Sequence, residues 1–243
     1  MLFLFFIALQ PGIKTLNKNT KMKVLLFGST GMIGQGVLIE CLKEKQVDSV
    51  LVVNRSSCKV SHPKLKEIIH HDFIDLSPIS NQLSGYDACF YCLGVTSAGL
   101  SEADYHRNTF ELTTKVAETI LSVNKDMTFC YISGAGTDSS EKGKTMWARV
   151  KGKTENALLK MTFKNAYMFR PGFIQPMNGI KSRTRLYNAM YTIFKPFYFA
   201  LKHIESMVTN TETLGKALIA VVTKVSEKKI LESKDINEIV RRK

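Results

Sequence analysis

The chain predicts an α/β fold of the doubly wound kind, a parallel sheet covered by helices on both faces, with a small C-terminal cap region. Three observations carry this. From Met22 onward, short apolar runs alternate with stretches of helical period. The first run breaks into three glycines at three-residue spacing. A chain of 243 residues, 44% of them hydrophobic, can bury one substantial core.

In residues 23–27, Lys23 leads into the apolar run Val24-Leu25-Leu26-Phe27 of a strand buried on both faces. Residues 32–45 follow as a helix, with Ile33, Val37 and Cys41 near helical spacing. A second, β-branched run over 49–53 ends in Asn54-Arg55-Ser56. Residues 66–70 give a third strand, followed by His71, Asp72 and Phe73. The fourth runs over 86–94 and ends in Gly94. Ser101 caps a long helix, with Asp104 three residues on as a shortened capping box, and Phe110, Thr114, Ala117 and Leu121 mark its inward face. Residues 127–134 make a fifth strand, 145–160 a helix, and 166–172 a sixth strand stopped by Pro171 and Gly172. The alternation then degrades. Residues 173–210 read as cap elements, within which 183–203 is basic, aromatic and kinked at Pro196. Residues 211–225 close the pattern as an amphipathic helix.

The turn after the first run points to a nucleotide. In Gly28-Ser29-Thr30-Gly31-Met32-Ile33-Gly34, Gly28 makes the tight turn and Gly31 admits a pyrophosphate to the amides at a helix's positive end. Gly34 lets helix and strand pack closely. Ribose is read at the end of the second strand. An acidic residue there would grip both hydroxyls of an NAD ribose, whereas Arg55 suits the 2′-phosphate of NADP by charge and bidentate geometry. No Asp or Glu lies between Asp48 and Glu67, so NADP is expected over NAD.

The 34 basic against 21 acidic residues give a net charge of +13, which favours anionic partners. The lysines are scattered, without a long basic run or an aromatic-interleaved binding signature, so nucleic acid is not expected. The five cysteines, odd in number and mostly within apolar runs, read as reduced thiols of a cytoplasmic protein. Cys89 and Cys92 spell C-x-x-C, but three residues apart on a strand they point to opposite faces, so core packing is expected and no metal. Residues 1–21 begin with an apolar stretch too short to span a bilayer and with no basic residue before it. The simplest reading is that translation begins at Met22; a membrane-touching segment is the alternative. In 183–203, Leu186, Met190, Phe194, Phe197 and Leu201 recur at helical spacing beside Arg183, Arg185, Lys195 and Lys202. That segment reads as ordinary core packing, a substrate cap or a peripheral membrane contact.

With the glycine loop, Asn54-Arg55, Cys92-Leu93-Gly94, Ile132-Ser133 and Arg170-Pro171-Gly172 in order, residues 22–223 resemble the extended and atypical short-chain dehydrogenases/reductases. More narrowly, they resemble the NAD(P)-binding nucleoside-diphosphate-sugar epimerase-like and Tat-interacting oxidoreductase-like branch. The resemblance implies a Rossmann fold with Gly28, Thr30, Gly31, Met32, Ile33 and Gly34 as the phosphate loop. It puts Asn54 and Arg55 at the ribose, Asp72 and Phe73 beside the adenine, Leu93 and Gly94 along the cofactor's middle, and Pro171, Gly172 and Phe173 at the nicotinamide. It also places a structural asparagine at Asn108. The family's chemistry rests on a tyrosine and a lysine four residues apart on one helix face, with a hydroxyl after the fifth strand. Here Lys151 is present and Trp147 stands at the tyrosine position. Ser133 is the best-placed hydroxyl, ahead of Thr137, Ser139 and Ser140, and Lys153 is turned away on its helix.

An indole N–H donates a hydrogen bond but does not titrate near neutral pH. Two functions follow. One is an NADP-dependent oxidoreductase or epimerase-like enzyme acting on a small carbonyl or sugar-type substrate, with Tyr105, Tyr131, Tyr187 or a water as proton donor. The other is a non-catalytic NADP(H)-binding sensor or scaffold that presents its C-terminal surface to a partner or membrane. Lys151 serves either by holding ribose.

Overall fold

The computed structural model describes residues 21–180 and 207–241. The expectations for the leader, for the 183–203 segment and for Tyr187 lie outside them. Among the described residues there are nine strands: β1 (Met22–Phe27), β2 (Val47–Asn54), β3 (Leu65–Ile69), β4 (Ala88–Tyr91), β5 (Thr128–Ile132), β6 (Asn165–Arg170), β7 (Phe173–Gln175), β8 (Val208–Asn210) and β9 (Ile230–Glu232). The helices are α1 (Met32–Lys43), α2 (Glu102–His106), α3 (Leu112–Val123), α4 (Met146–Lys160), α5 (Thr211–Thr223) and α6 (Ser233–Arg241).

Seven strands form one parallel sheet in the order β3-β2-β1-β4-β5-β6-β9. The order reverses between β1 and β4, and a crevice opens there at the strands' carboxyl ends. Alternation along β1 shows why its run is continuously apolar. Val24 and Leu26 pack with Val37, Cys41, Leu214 and Leu218 on one face, while Leu25 and Phe27 pack with Val116, Ile120 and Leu158 on the other. Cys89 and Cys92 likewise fall on opposite faces.

The long helix after Ser101 differs from the expected one. Its start is as predicted: Ser101 Oγ accepts from the Asp104 amide at 3.1 Å. A π-turn over Arg107–Glu111 then separates α2 from α3. One extra residue in a turn advances every later side chain by about 100°. The buried positions are therefore Thr109, Thr113, Val116, Ala117 and Ile120, while Phe110, Thr114 and Leu121 are only half-buried. Asn108 is exposed and donates from Nδ2 to the Asp104 carbonyl at 2.9 Å, which corrects its expected structural role. Beyond Gly172 the sequence reading missed a two-stranded parallel pair, β7 with β8, as well as β9 and α6. Three-residue strands are too short to show a period.

Candidate functional site

The crevice is floored by the glycine loop, and each glycine stands where it does for a different reason. Gly28 has φ +81°, and a Cβ on it would meet the backbone of Cys92 and Leu93 at 2.9 Å. A Cβ on Gly34 would be driven into the Gly28 carbonyl. Gly31 is constrained less, since its Cβ would meet only the Gly28 carbonyl, at 3.5 Å. It is the N-cap of α1, supplies no side-chain cap, and is followed by no acidic residue in the first turn. The opening amides of α1 are thus left for an external anion. Gly31, Met32 and Ile33 line a cleft of about 560 Å³.

That cleft continues past Leu93 and Gly94 to Gly134, Trp147, Lys151, Pro171 and Gly172, so sequence-distant predicted residues meet in one place. Apart from Gly94 itself and its two chain neighbours, nothing lies within 4 Å of where a Gly94 Cβ would stand, which leaves a bare backbone along the middle of the cleft. An uncapped helix end, glycine-bare walls and room for an extended ligand fit a dinucleotide. One predicted lining position is corrected and another is added. Phe173 opens β7 and is not part of the lining, whereas Ile174 is. Thr96, unanticipated from the sequence, adds a hydroxyl.

At the ribose end, Asn54 is 2% exposed and donates from Nδ2 to Ser29 Oγ at 2.8 Å, while Arg55 is exposed beyond the strand. Asp72 is exposed, and its Oδ1 accepts from the Ile74 amide at 2.9 Å. Phe73 is buried edge-on against Phe27, with centroids 5.9 Å apart, so only Asp72 of the pair stands at the surface.

At the other end, Lys151 donates from Nζ to the Ser133 carbonyl. Burial pushes the lysine down to about 8, and the charge of Glu155 acts in the opposite sense. The Ser133 hydroxyl is not turned to the cleft. It is buried, lying 2.5 Å from Glu155 Oε1 and 3.1 Å from the Phe169 carbonyl. Glu155 is fully buried and is gripped by the Arg170 guanidinium through Nε and a terminal nitrogen. The expected catalytic hydroxyl is thus one corner of a buried Ser133–Glu155–Arg170 network. Ser133 borders the cleft without turning its hydroxyl to it, and Gly134 beside it brings bare backbone there; a Cβ on Gly134 would stand 3.8 Å from Lys151 Nζ.

Trp147 lines the cleft one turn before Lys151, as its spacing predicts, and Lys153 is turned to solvent with Nζ 4.5 Å above the Phe110 ring. Cys92 also lines the cleft, but burial pushes its thiol up to about 12. Tyr105 and Tyr131 border a void of about 10 Å³ that also touches Lys151, and burial raises both phenols.

Comparison with known proteins agrees with this fold. The NAD dependent epimerase/dehydratase family model matches residues 24–146. Protein FMP52, mitochondrial, of Meyerozyma guilliermondii is 25% identical over 155 residues, 63% of this chain and 65% of that protein, so the match spans just under two thirds of the relative. Protein HTATIP2 of Rattus norvegicus is 24% identical over 170 residues, 69% of this chain and 67% of its own. Among solved structures, the Bordetella bronchiseptica enzyme WbmF in complex with NAD+ and UDP shares the fold with a TM-score of 0.59 at 15% identity, over 91% of this chain and 76% of that one. The matched stretch holds the glycine loop, the Asn54-Arg55 strand end and the bare backbone at Gly94. With its parallel Rossmann sheet and dinucleotide cleft, the chain belongs to the NAD dependent epimerase/dehydratase family.

Proposed function

We propose that the protein is an NADP(H)-binding oxidoreductase in which Lys151 handles the proton that a phenol handles in its relatives. The observation that carries this is the lining of the cleft. Among its described residues, Lys151 is the one side chain brought close to neutral, at about 8, while Trp147 fills the phenol position. A bound reduced nicotinamide supplies the hydride. Lys151 Nζ hydrogen-bonds the ribose and, as an ammonium, gives a proton to the oxygen of a small carbonyl or sugar-type substrate. Arg55 receives the 2′-phosphate. The five cysteines, all free, support a reducing compartment such as the cytoplasm.

The lysine acts in its protonated form, so turnover falls as pH rises through about 8. The test is single-turnover hydride transfer from NADPH to a panel of carbonyls and nucleotide sugars between about pH 6 and 9.5, set by that lysine. Lys151→Ala should abolish transfer; undiminished transfer in that variant overturns the assignment. A second reading rests on a specific observation, the absence of both family hydroxyls from beside the lysine, since Trp147 and Gly134 stand there and Ser133 is committed to Glu155. Tight NADPH binding with no transfer across the panel would favour that reading, a non-catalytic sensor or scaffold.

A further inference from the structure

We propose that Glu67 is a positioning residue that sets the preference for NADPH, by tying the loop that carries Arg55 to the phosphate loop. The inference rests on the NADPH reading above. Glu67 comes from the edge strand β3, where it pairs with Val52 in register. It therefore lies on the same face as Val52 and Asn54, beside the carboxyl end of β2. Its Oε1 accepts from Asn54 Nδ2 at 3.0 Å and from the Cys58 amide at 2.8 Å, and its Oε2 accepts from Ser57 Oγ at 2.7 Å. Asn54 in turn bonds Ser29 of the phosphate loop, and Ser57 Oγ accepts from the Lys59 amide at 3.1 Å. Lys59 holds φ +55°, a left-handed conformation that is uncommon for a residue with a side chain. A continuous chain of hydrogen bonds thus runs from Ser29 through Asn54 and Glu67 to residues 57–59, with Arg55 on the segment between.

An acidic residue at this end of the sheet could have been the ribose ligand of an NAD protein. Its surroundings argue otherwise. A ribose-binding carboxylate keeps acceptor capacity for two hydroxyls, whereas this one already receives three donors from its own loop. Burial raises its carboxyl, but the bonds from Cys58, Ser57 and Asn54 outweigh that and hold it below the usual carboxylate range. The charge is spent on the loop, and the loop is what presents Arg55.

The test compares Kd for NADPH and NADH in the full-length protein, in Glu67→Ala and in Glu67→Gln. Glu67→Ala should reduce the NADPH-over-NADH preference by about fivefold or more, the size of one lost hydrogen-bonded brace. Glu67→Gln keeps an acceptor for Asn54 and Cys58 and an amide for Ser57, so it should hold the preference to within about twofold. In an Arg55→Ala background, Glu67→Ala should have no further effect on NADPH. Amide hydrogen exchange at residues 57–59 should quicken in Glu67→Ala without any cofactor. Unchanged preference and unchanged exchange in Glu67→Ala overturn the brace, as does tighter NADPH binding by both variants, which would make Glu67 a repelling charge. Equal affinity of the unaltered protein for the two cofactors overturns the NADPH reading itself, while the exchange comparison still reports on the brace.

Discussion

Single residues decide what the cleft can do, and three substitutions separate their roles. Arg55→Ala should weaken NADPH by about 1.5–3 kcal/mol and leave NADH nearly unchanged, as isothermal titration would show, because a charge-assisted contact to the 2′-phosphate is lost. Trp147→Tyr places a phenol one turn before Lys151; it should preserve NADPH affinity and raise carbonyl reduction in the single-turnover assay. Glu155→Ala should destabilise the fold by about 3–5 kcal/mol in urea titration, because it leaves the Arg170 guanidinium, 11% exposed, without its buried partner. This last residue was not legible in the sequence. The positions of the glycines, Arg55, Trp147 and Lys151 could be read from spacing, since each is set by its place on a strand end or helix turn. The direction of Ser133 could not. At the end of β5, residues 133 and 134 point to different sides, and only the buried carboxylate of Glu155 shows that the serine is the inner one.

Elements were legible where they carry a run of apolar residues, as 24–27 of β1, 50–53 of β2 and 129–132 of β5 do, because burial on both faces leaves such a run. The π-turn was not, since an inserted residue shifts the inward face without changing composition. Two glycines test how α4 and the cleft wall are built. Gly152 lies in α4, where Ala would ordinarily favour the helix by about 1 kcal/mol. Its Cβ, however, would be driven into the Asp138 carbonyl of the loop that follows β5. Gly152→Ala should therefore destabilise, by about 1–3 kcal/mol or more, and displace the wall that carries Gly134. Gly94 has open space around it, so Gly94→Ala should leave the melting temperature nearly unchanged and still weaken cofactor binding by narrowing the cleft. Parallel loss of stability and affinity in both variants would mean that the cleft wall and the core are one packing unit.

For the whole molecule, cofactor binding becomes a statement about stability. A ligand that binds only the folded chain stabilises it by about 2.7 kcal/mol at a hundredfold excess over Kd. At about 2–4 °C per kcal/mol for a chain of this size, NADPH should raise the melting temperature by roughly 5–10 °C. The net charge of +13 complicates the measurement, because so basic a surface attracts any polyanion. Salt separates the two effects. Diffuse attraction to surface lysines fades once the Debye length shrinks from about 8 Å toward 3 Å at high ionic strength. Amides at the N-terminus of α1 beside the cleft and, on the NADPH reading proposed above, a guanidinium paired with a 2′-phosphate would act at contact distance and be screened less. Melting curves with NADPH, NADH and tripolyphosphate at matched concentration should then diverge as salt rises: the NADPH shift largely persists, the NADH shift stays smaller throughout, and the tripolyphosphate shift disappears. If the NADPH shift vanished together with that of tripolyphosphate, its binding would belong to the charged surface rather than to the cleft between β1 and β4.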